Sequence, residues 1–256
     1  MERMRFAHRN DTLRRTESSE ASTVRAGLSR AACETPDAGA VGCAAATRPA
    51  RHTMDWIGVG CAAGFVVLAA LVALGATAGV DDAVHDVAVA MRTVWLTPIA
   101  RGLSDLMTPV PLVAIGIVLL TRARTRRFGG AWALNVCSVA LLNVMLKALM
   151  QRPRPDAAAR LAEVAGFSFP SGHAATAMAA FGLLAWFMWH ASRRGEGRVA
   201  AVACIVLATL VGASRVYLGV HYLSDVLAGF CEAGVWLVLY VRAVAARTLG
   251  EPDRAA

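Results

Sequence analysis

The sequence predicts an all-α fold, a polytopic membrane helix bundle with six transmembrane helices. Three observations predict it. The apolar fraction is 57% and the mean hydropathy +0.51, above the 45–50% apolar content of an average soluble domain. Only 17% of residues are charged. The apolar residues also fall in long runs, which suits a bilayer better than a core surrounded by water.

Taken in order, residues 1–51 are polar and rich in Arg, Ser and Thr, without a sustained apolar period. They read as a disordered cytoplasmic tail. They lack the apolar stretch of a signal peptide, and six acidic residues argue against a transit peptide. Met54, directly before the first apolar run, is an alternative start. The predicted domain then covers residues 52–246, and 247–256 form a short cytoplasmic tail.

The first span, Trp56 to Val80, holds 25 residues without a charge, ample for a membrane crossing. The second runs from Leu106 to Thr121 and carries Pro109 and Pro111 near its start, where proline is tolerated. The third is Phe128 to Leu146, the fourth Ala174 to Trp189, the fifth Val199 to Ala213 and the sixth Val226 to Val241. The last three contain 15 or 16 residues, about 24 Å at the helical rise. Their shortness predicts that flanking polar residues begin at the interface or just below it. Between the first two spans, Asp81 to Asp105 carries Val84, Val87, Val89, Met91, Val94 and Trp95, a pattern for one amphipathic helix on the membrane surface.

The net charge of +8 would suggest nucleic acid in a soluble protein. Here most arginines sit between apolar runs and report orientation instead, so no nucleic-acid partner is expected. The tail, the Arg122–Arg127 run, the Arg193/Arg194/Arg198 loop and the Arg242/Arg247/Arg254 segment share one side, read as the cytoplasm. The chain is therefore expected in the cell membrane as a multi-pass protein. The six cysteines form no CxxC pair and suggest neither a disulfide framework nor a zinc site.

Cations on the other side gather around three motifs. Lys147, the only lysine, precedes Arg152-Pro153-Arg154-Pro155 at the outer end of the third span. Alone, such a cation often only snorkels. Pro170-Ser171-Gly172-His173 opens the fourth span, where Ser171 and Gly172 suit an N-cap and free amides favour an anion. Ser214-Arg215 and His221-x3-Asp225 lie between the fifth and sixth spans. The four-residue spacing of His221 and Asp225 predicts a shared helical face, with Asp225 fixing one imidazole tautomer. By itself that pair also fits a structural hydrogen bond or half a metal site. Jointly, cations, imidazoles and one carboxylate suit phosphate recognition, whereas a metal site wants more converging acids.

Lys147-x6-Arg154-Pro155, Pro170-Ser171-Gly172-His173 and Ser214-Arg215-x5-His221-x3-Asp225 resemble, in order and spacing, the three signature motifs of the type 2 phosphatidic acid phosphatase (PAP2) family. The resemblance covers about residues 56–245. It implies an integral membrane lipid phosphatase with no cofactor and no metal, hydrolysing a phosphate mono- or diphosphate ester. His221 would attack phosphorus and become a phosphohistidine, Asp225 would orient it, and His173 would protonate the leaving oxygen and then activate water. Lys147, Arg154, Ser171, Gly172 through its N–H, and Arg215 would hold the phosphoryl oxygens. The partner is then a phosphorylated membrane lipid, met on the extracytoplasmic (periplasmic) face.

Two other readings fit the same residues: a lipid phosphotransferase, and an anion- or lipid-binding membrane protein or transporter without chemistry. Elsewhere, Glu232 inside the sixth span is either functional or a paired or protonated structural group. Asn135 and Asn143 are expected to hydrogen-bond between helices. His85 and His190 are expected to have no catalytic role.

Overall fold

The computed structural model describes residues 51–122, 125–191 and 195–245. The expected tails fall outside them apart from Arg51, as do Arg124, Arg193 and Arg194 of the basic loops. The described residues form eight α-helices: α1 (Arg51–Ala73), α2 (Ala78–Ala90), α3 (Leu96–Asp105), α4 (Pro109–Thr121), α5 (Arg126–Met150), α6 (Gly172–Ala191), α7 (Glu196–Tyr217) and α8 (Leu223–Tyr240). A 3₁₀ turn, Ala157–Ala159, punctuates the long α5–α6 connection, and a π turn, Val241–Ala245, extends α8.

The protein is an all-helical, polytopic membrane protein. Four helices, α1, α5, α7 and α8, are long and apolar enough to cross a bilayer, and a fifth crossing follows if the bent pair α3–α4 counts as one. The expected second span, Leu106 to Thr121, corresponds to α4, whereas α3 comes from the expected surface segment. Helix α4 has 13 residues, about 20 Å, and meets α3 at 55°. The cause is local: Pro109 and Pro111 lack N–H donors, so the chain leaves α3 and restarts with proline in the first turn.

The surface segment also differs from expectation. Asp81–Asp105 is two helices rather than one, interrupted between Met91 and Trp95. Val87, Met91, Val94 and Trp95 are exposed, whereas Asp81 is buried. Val84 packs inward against Ala174, Val216 and Val226.

The last three helices are longer than the apolar runs that predict them, at 20, 22 and 18 residues. Polar residues at their site ends, His173 and Ser214-Arg215, stay helical instead of ending the helix. Arg215 is buried, so its charge faces the bundle and does not mark the bilayer boundary. At the site end the helices therefore carry polar residues turned inward rather than ending short of the interface.

Helix α6 is the centre, touching α5, α7 and α8. Small residues make this possible: Ala174, Ala175, Ala177 and Ala179 are fully buried along it, and small side chains let membrane helices approach closely. Gly212 of α7 shows the same demand. A Cβ there would stand 2.4 Å from Cζ of Phe230. Interhelical hydrogen bonds add to the packing, as Asn135 Nδ2 donates to Ala179 O at 2.8 Å and Trp132 Nε1 to Ala180 O at 3.0 Å. Such bonds are worth about 0.6 kcal/mol on average in a membrane. Because α5 to α8 alternate in direction, the C-termini of α5 and α7 and the N-termini of α6 and α8 share one end of the bundle.

Candidate active site

That end gathers every residue the motifs single out. Helix α5 stops because Gln151 takes a left-handed conformation, φ 48°, with its N–H bonded to Lys147 O at 3.0 Å. The chain then runs back across the bundle end. Ser168 N–H donates to Arg152 O at 2.8 Å, and Ser171 N–H to Asp225 O at 2.9 Å. The latter bond ties the start of α6 to the start of α8.

Lys147 Nζ donates to Phe167 O at 2.8 Å and Ser168 O at 3.1 Å. Arg154 spreads its guanidinium over four acceptors. Nε donates to Gly166 O at 2.9 Å, Nη2 to Ala165 O at 3.0 Å and Nη1 to Val220 O at 2.9 Å, and Nη1 lies 3.2 Å from His221 Nε2. Burial lowers the Arg154 pKa from its ordinary value, yet a guanidinium keeps its charge at neutral pH. Arg215 is buried and hydrogen-bonded to Ser104 Oγ, with its Nε unpaired.

His221 is not on the face of a helix, as its spacing from Asp225 predicts. It sits in the turn ahead of α8, and Asp225 is in the helix's first turn. Asp225 instead accepts at Oδ2 from the Tyr222 N–H, 2.9 Å, and from Ser168 Oγ, 2.5 Å, while His221 Nδ1 lies 3.4 Å away. Ser168 Oγ is also 3.4 Å from Nδ1.

These contacts assign the tautomer. Arginine has no acceptor, so Nε2, facing Arg154, carries the lone pair, and the ring proton sits on Nδ1. Ser168 spends its hydroxyl proton on Asp225 and has lone pairs left for Nδ1–H. Burial, only partly offset by Asp225, pushes the His221 pKa down to about 3. The imidazole is neutral at physiological pH.

Ser171 is fully buried and its Oγ has no partner. Gly172 opens α6, where first-turn amides lack intrahelical acceptors. A Cβ on Gly172 would lie 2.9 Å from Asn143 Oδ1, so the position has room only for hydrogen. His173 is half-buried, within electrostatic reach of Arg215, His221, Arg154 and Lys147.

Beneath the motifs, Asn143 Nδ2 donates to Glu232 Oε2 at 2.8 Å. This is the paired structural reading of Glu232 and the interhelical role expected of Asn143. The other carboxyl oxygen of Glu232 is buried without a partner. Among the described residues, no three His, Cys, Asp or Glu side chains converge as metal ligands would.

Sequence reasoning missed Ser168, Ser224, Asp81 and the contacts of Arg152. Arg152 bonds Asp225 Oδ1 at 2.7 Å and Asp81 Oδ2 at 2.8 Å. The doubled Arg-Pro was a visible signal for Arg152. An acid 71 residues earlier in the chain gave none.

A cluster of fixed cations, a helix N-terminus and an imidazole share one end of a membrane bundle, a set suited to binding a phosphoryl group. Residues 128–249 match the model of the PAP2 superfamily, and the chain belongs to that superfamily. It is 36% identical over 186 residues to phosphatidylglycerophosphatase B of Bacillus subtilis (strain 168), covering 70% of this chain and 89% of that protein. Its fold matches the crystal structure of the first transmembrane PAP2-type phosphatidylglycerolphosphate phosphatase from Bacillus subtilis. The TM-score is 0.67 and the identity 31%, over 78% of this chain and all of that one.

Proposed function

We propose that the enzyme removes the terminal phosphate of a lipid at the extracytoplasmic face through a phosphohistidine, without a metal ion. Phosphatidylglycerophosphate is the favoured substrate, on the strength of the two relatives' names. The observation that carries the mechanism is the 3.2 Å approach of Arg154 Nη1 to His221 Nε2. It puts a phosphate-binding cation beside the nitrogen that holds the lone pair.

In this reading His221 Nε2 attacks phosphorus and the bond from phosphorus to the lipid oxygen breaks. His173 gives that oxygen its proton. Asp225 and Ser168 stabilise the charge that develops on the ring at Nδ1. His173, now neutral, takes a proton from water as water attacks phosphorus, and the P–N bond breaks to return His221 and free phosphate. Lys147, Arg154, Arg215 and the amides at Ser171–Gly172 hold the equatorial oxygens, where charge spreads during transfer. These cations supply the neutralisation that a metal gives in other phosphatases.

The reading includes a sixth span, α6. With 20 residues it is long enough, and it lies against α5, α7 and α8, where small residues substitute for strongly apolar ones. Arginine placement puts the α5–α6 and α7–α8 ends opposite the cytoplasm.

The test is phosphate release by purified protein from phosphatidylglycerophosphate in mixed micelles, with chelator, with vanadate, and with His221→Ala. Release should survive chelation, fall with vanadate and vanish in the variant. Wild-type release by His221→Ala, or phosphate recovered on a second lipid, would overturn the proposal.

A further inference from the structure

Asp225 needs both of its oxygens held if it is to hold His221. Its side chain is fully buried, and Oδ2 is occupied by Ser168, Tyr222 N–H and the imidazole. Oδ1 faces Arg152 Nη1 at 2.7 Å. The same Nη1 donates to Ser224 Oγ at 2.7 Å, and Nη2 donates to Asp81 Oδ2 at 2.8 Å. Asp81 in turn accepts the Ser224 N–H at 3.0 Å and the Ser224 hydroxyl at 2.6 Å. The guanidinium also lies over the Tyr222 ring, 4.3 Å from its centroid. Arg152 is thus fixed on its edge by two carboxylates and on its face by an aromatic ring.

This arrangement separates the two arginines of the Arg-Pro-Arg-Pro run. Arg154 reaches the nucleophile's free nitrogen, whereas Arg152 is committed to acids and has its charge matched by them. Burial works against the Arg152 charge, but Asp225 and Asp81 outweigh it and raise the pKa above the ordinary guanidinium value. Asp81 lies on α2, outside the residues 128–249 that match the superfamily model. An element beyond the three signature motifs therefore reaches into the site.

We propose that Arg152 and Asp81 are positioning residues, a chain from α2 through Arg152 to Asp225 that keeps the His221 ring aimed at phosphorus. The inference rests on His221 as the nucleophile. With Oδ1 released, Asp225 is held through Oδ2 alone, and its carboxylate can swing about that oxygen along a terminal torsion that is a broad, soft coordinate. Nδ1 then loses its fixed acceptor, and Nε2 its direction.

The experiment uses the full-length chain with Arg152→Gln, Asp81→Asn and the double variant. It measures kcat and KM on the lipid substrate, the rate of acid-quenched phosphohistidine formation, and the melting temperature. Outer partners of metal-ligating imidazoles contribute about 10- to 100-fold, and the same scale is expected for a partner that orients His221. Each single variant should lose about that factor in kcat and in phosphohistidine formation, with KM and inhibition by inorganic phosphate within about threefold of wild type. The double variant should equal the worse single one, because both break one chain.

Additive losses overturn the proposal. So does a lower melting temperature with unchanged turnover per phosphohistidine-forming site, the mark of a merely structural ion pair. Asp81→Asn keeps an acceptor for the Ser224 N–H and decides alone if Arg152→Gln does not fold. His221→Ala separates the two layers. Activity in that variant removes the nucleophile reading, whereas a dead His221→Ala beside fully active Arg152 and Asp81 variants removes only the positioning chain.

Discussion

Replacing Arg154 by lysine tests the difference between a fork and a point charge beside His221 Nε2, the nitrogen proposed to attack phosphorus. The guanidinium uses Nε and Nη2 to grip Gly166 O and Ala165 O, and Nη1 to reach Val220 O and His221 Nε2. A lysine keeps the charge but has one nitrogen for these four positions. It can satisfy the carbonyls or face the phosphoryl group, not both. One charge-assisted hydrogen bond is worth about 1.5–3 kcal/mol, and each 1.36 kcal/mol is tenfold in rate. Arg154→Lys should therefore lower kcat/KM about 10- to 150-fold. The loss of the carbonyl contacts should also loosen the 165–166 segment, so KM should rise along with the fall in kcat. The assay is initial-rate phosphate release in mixed micelles at fixed surface concentration of lipid. A kcat/KM within about threefold of wild type would refute the reasoning, because it would show that charge alone suffices there.

Two further outcomes follow from the burial of polar groups. His221, with its pKa pushed down to about 3, should show a neutral ring by ¹⁵N NMR at pH 5; an imidazolium signal there sinks the tautomer assignment. In the unfolded chain the same ring protonates near pH 6.5. Its contribution to stability is therefore intact above that pH and is lost as pH falls from there toward the folded value, by at most about 1.4 kcal/mol per pH unit. Asn143→Leu should strand the Glu232 carboxyl, which accepts Asn143 Nδ2 at 2.8 Å. The cost is about 1–3 kcal/mol, a melting temperature lower by roughly 2–10 °C. Adding Glu232→Leu should recover most of it, and an unchanged melt in the single variant would refute the pairing.

The motifs were legible because each is a short run whose spacing carries chemistry. Pro170-Ser171-Gly172-His173 names a helix start, an anion site and an imidazole within four residues. The apolar runs located helices, of which four, or five with the bent pair, are long and apolar enough to cross a bilayer, since length and hydropathy are local properties. Polar residues do not mark the helix ends at the site. Arg215 and His173 are polar yet helical, because the bundle interior at that end is itself polar. Spacing likewise suggested a helical face for His221 and Asp225, when a turn and a helix start bring them together. Period alone does not distinguish these two, as both place residues i and i+4 within reach.

What the sequence determined by itself was the helical membrane class of fold, the family and the set of motif residues that meet at one end of the bundle, all of them set by composition and short-range order. The tertiary structure decided how the inventory is divided. It set Arg154 beside His221 and Arg152 against Asp225, and it brought Asp81 from α2 to Arg152 and Ser224. The physical reason is that a buried charge must find a partner wherever packing delivers one. Packing of helices distant in the chain leaves no trace in the local spacing of residues.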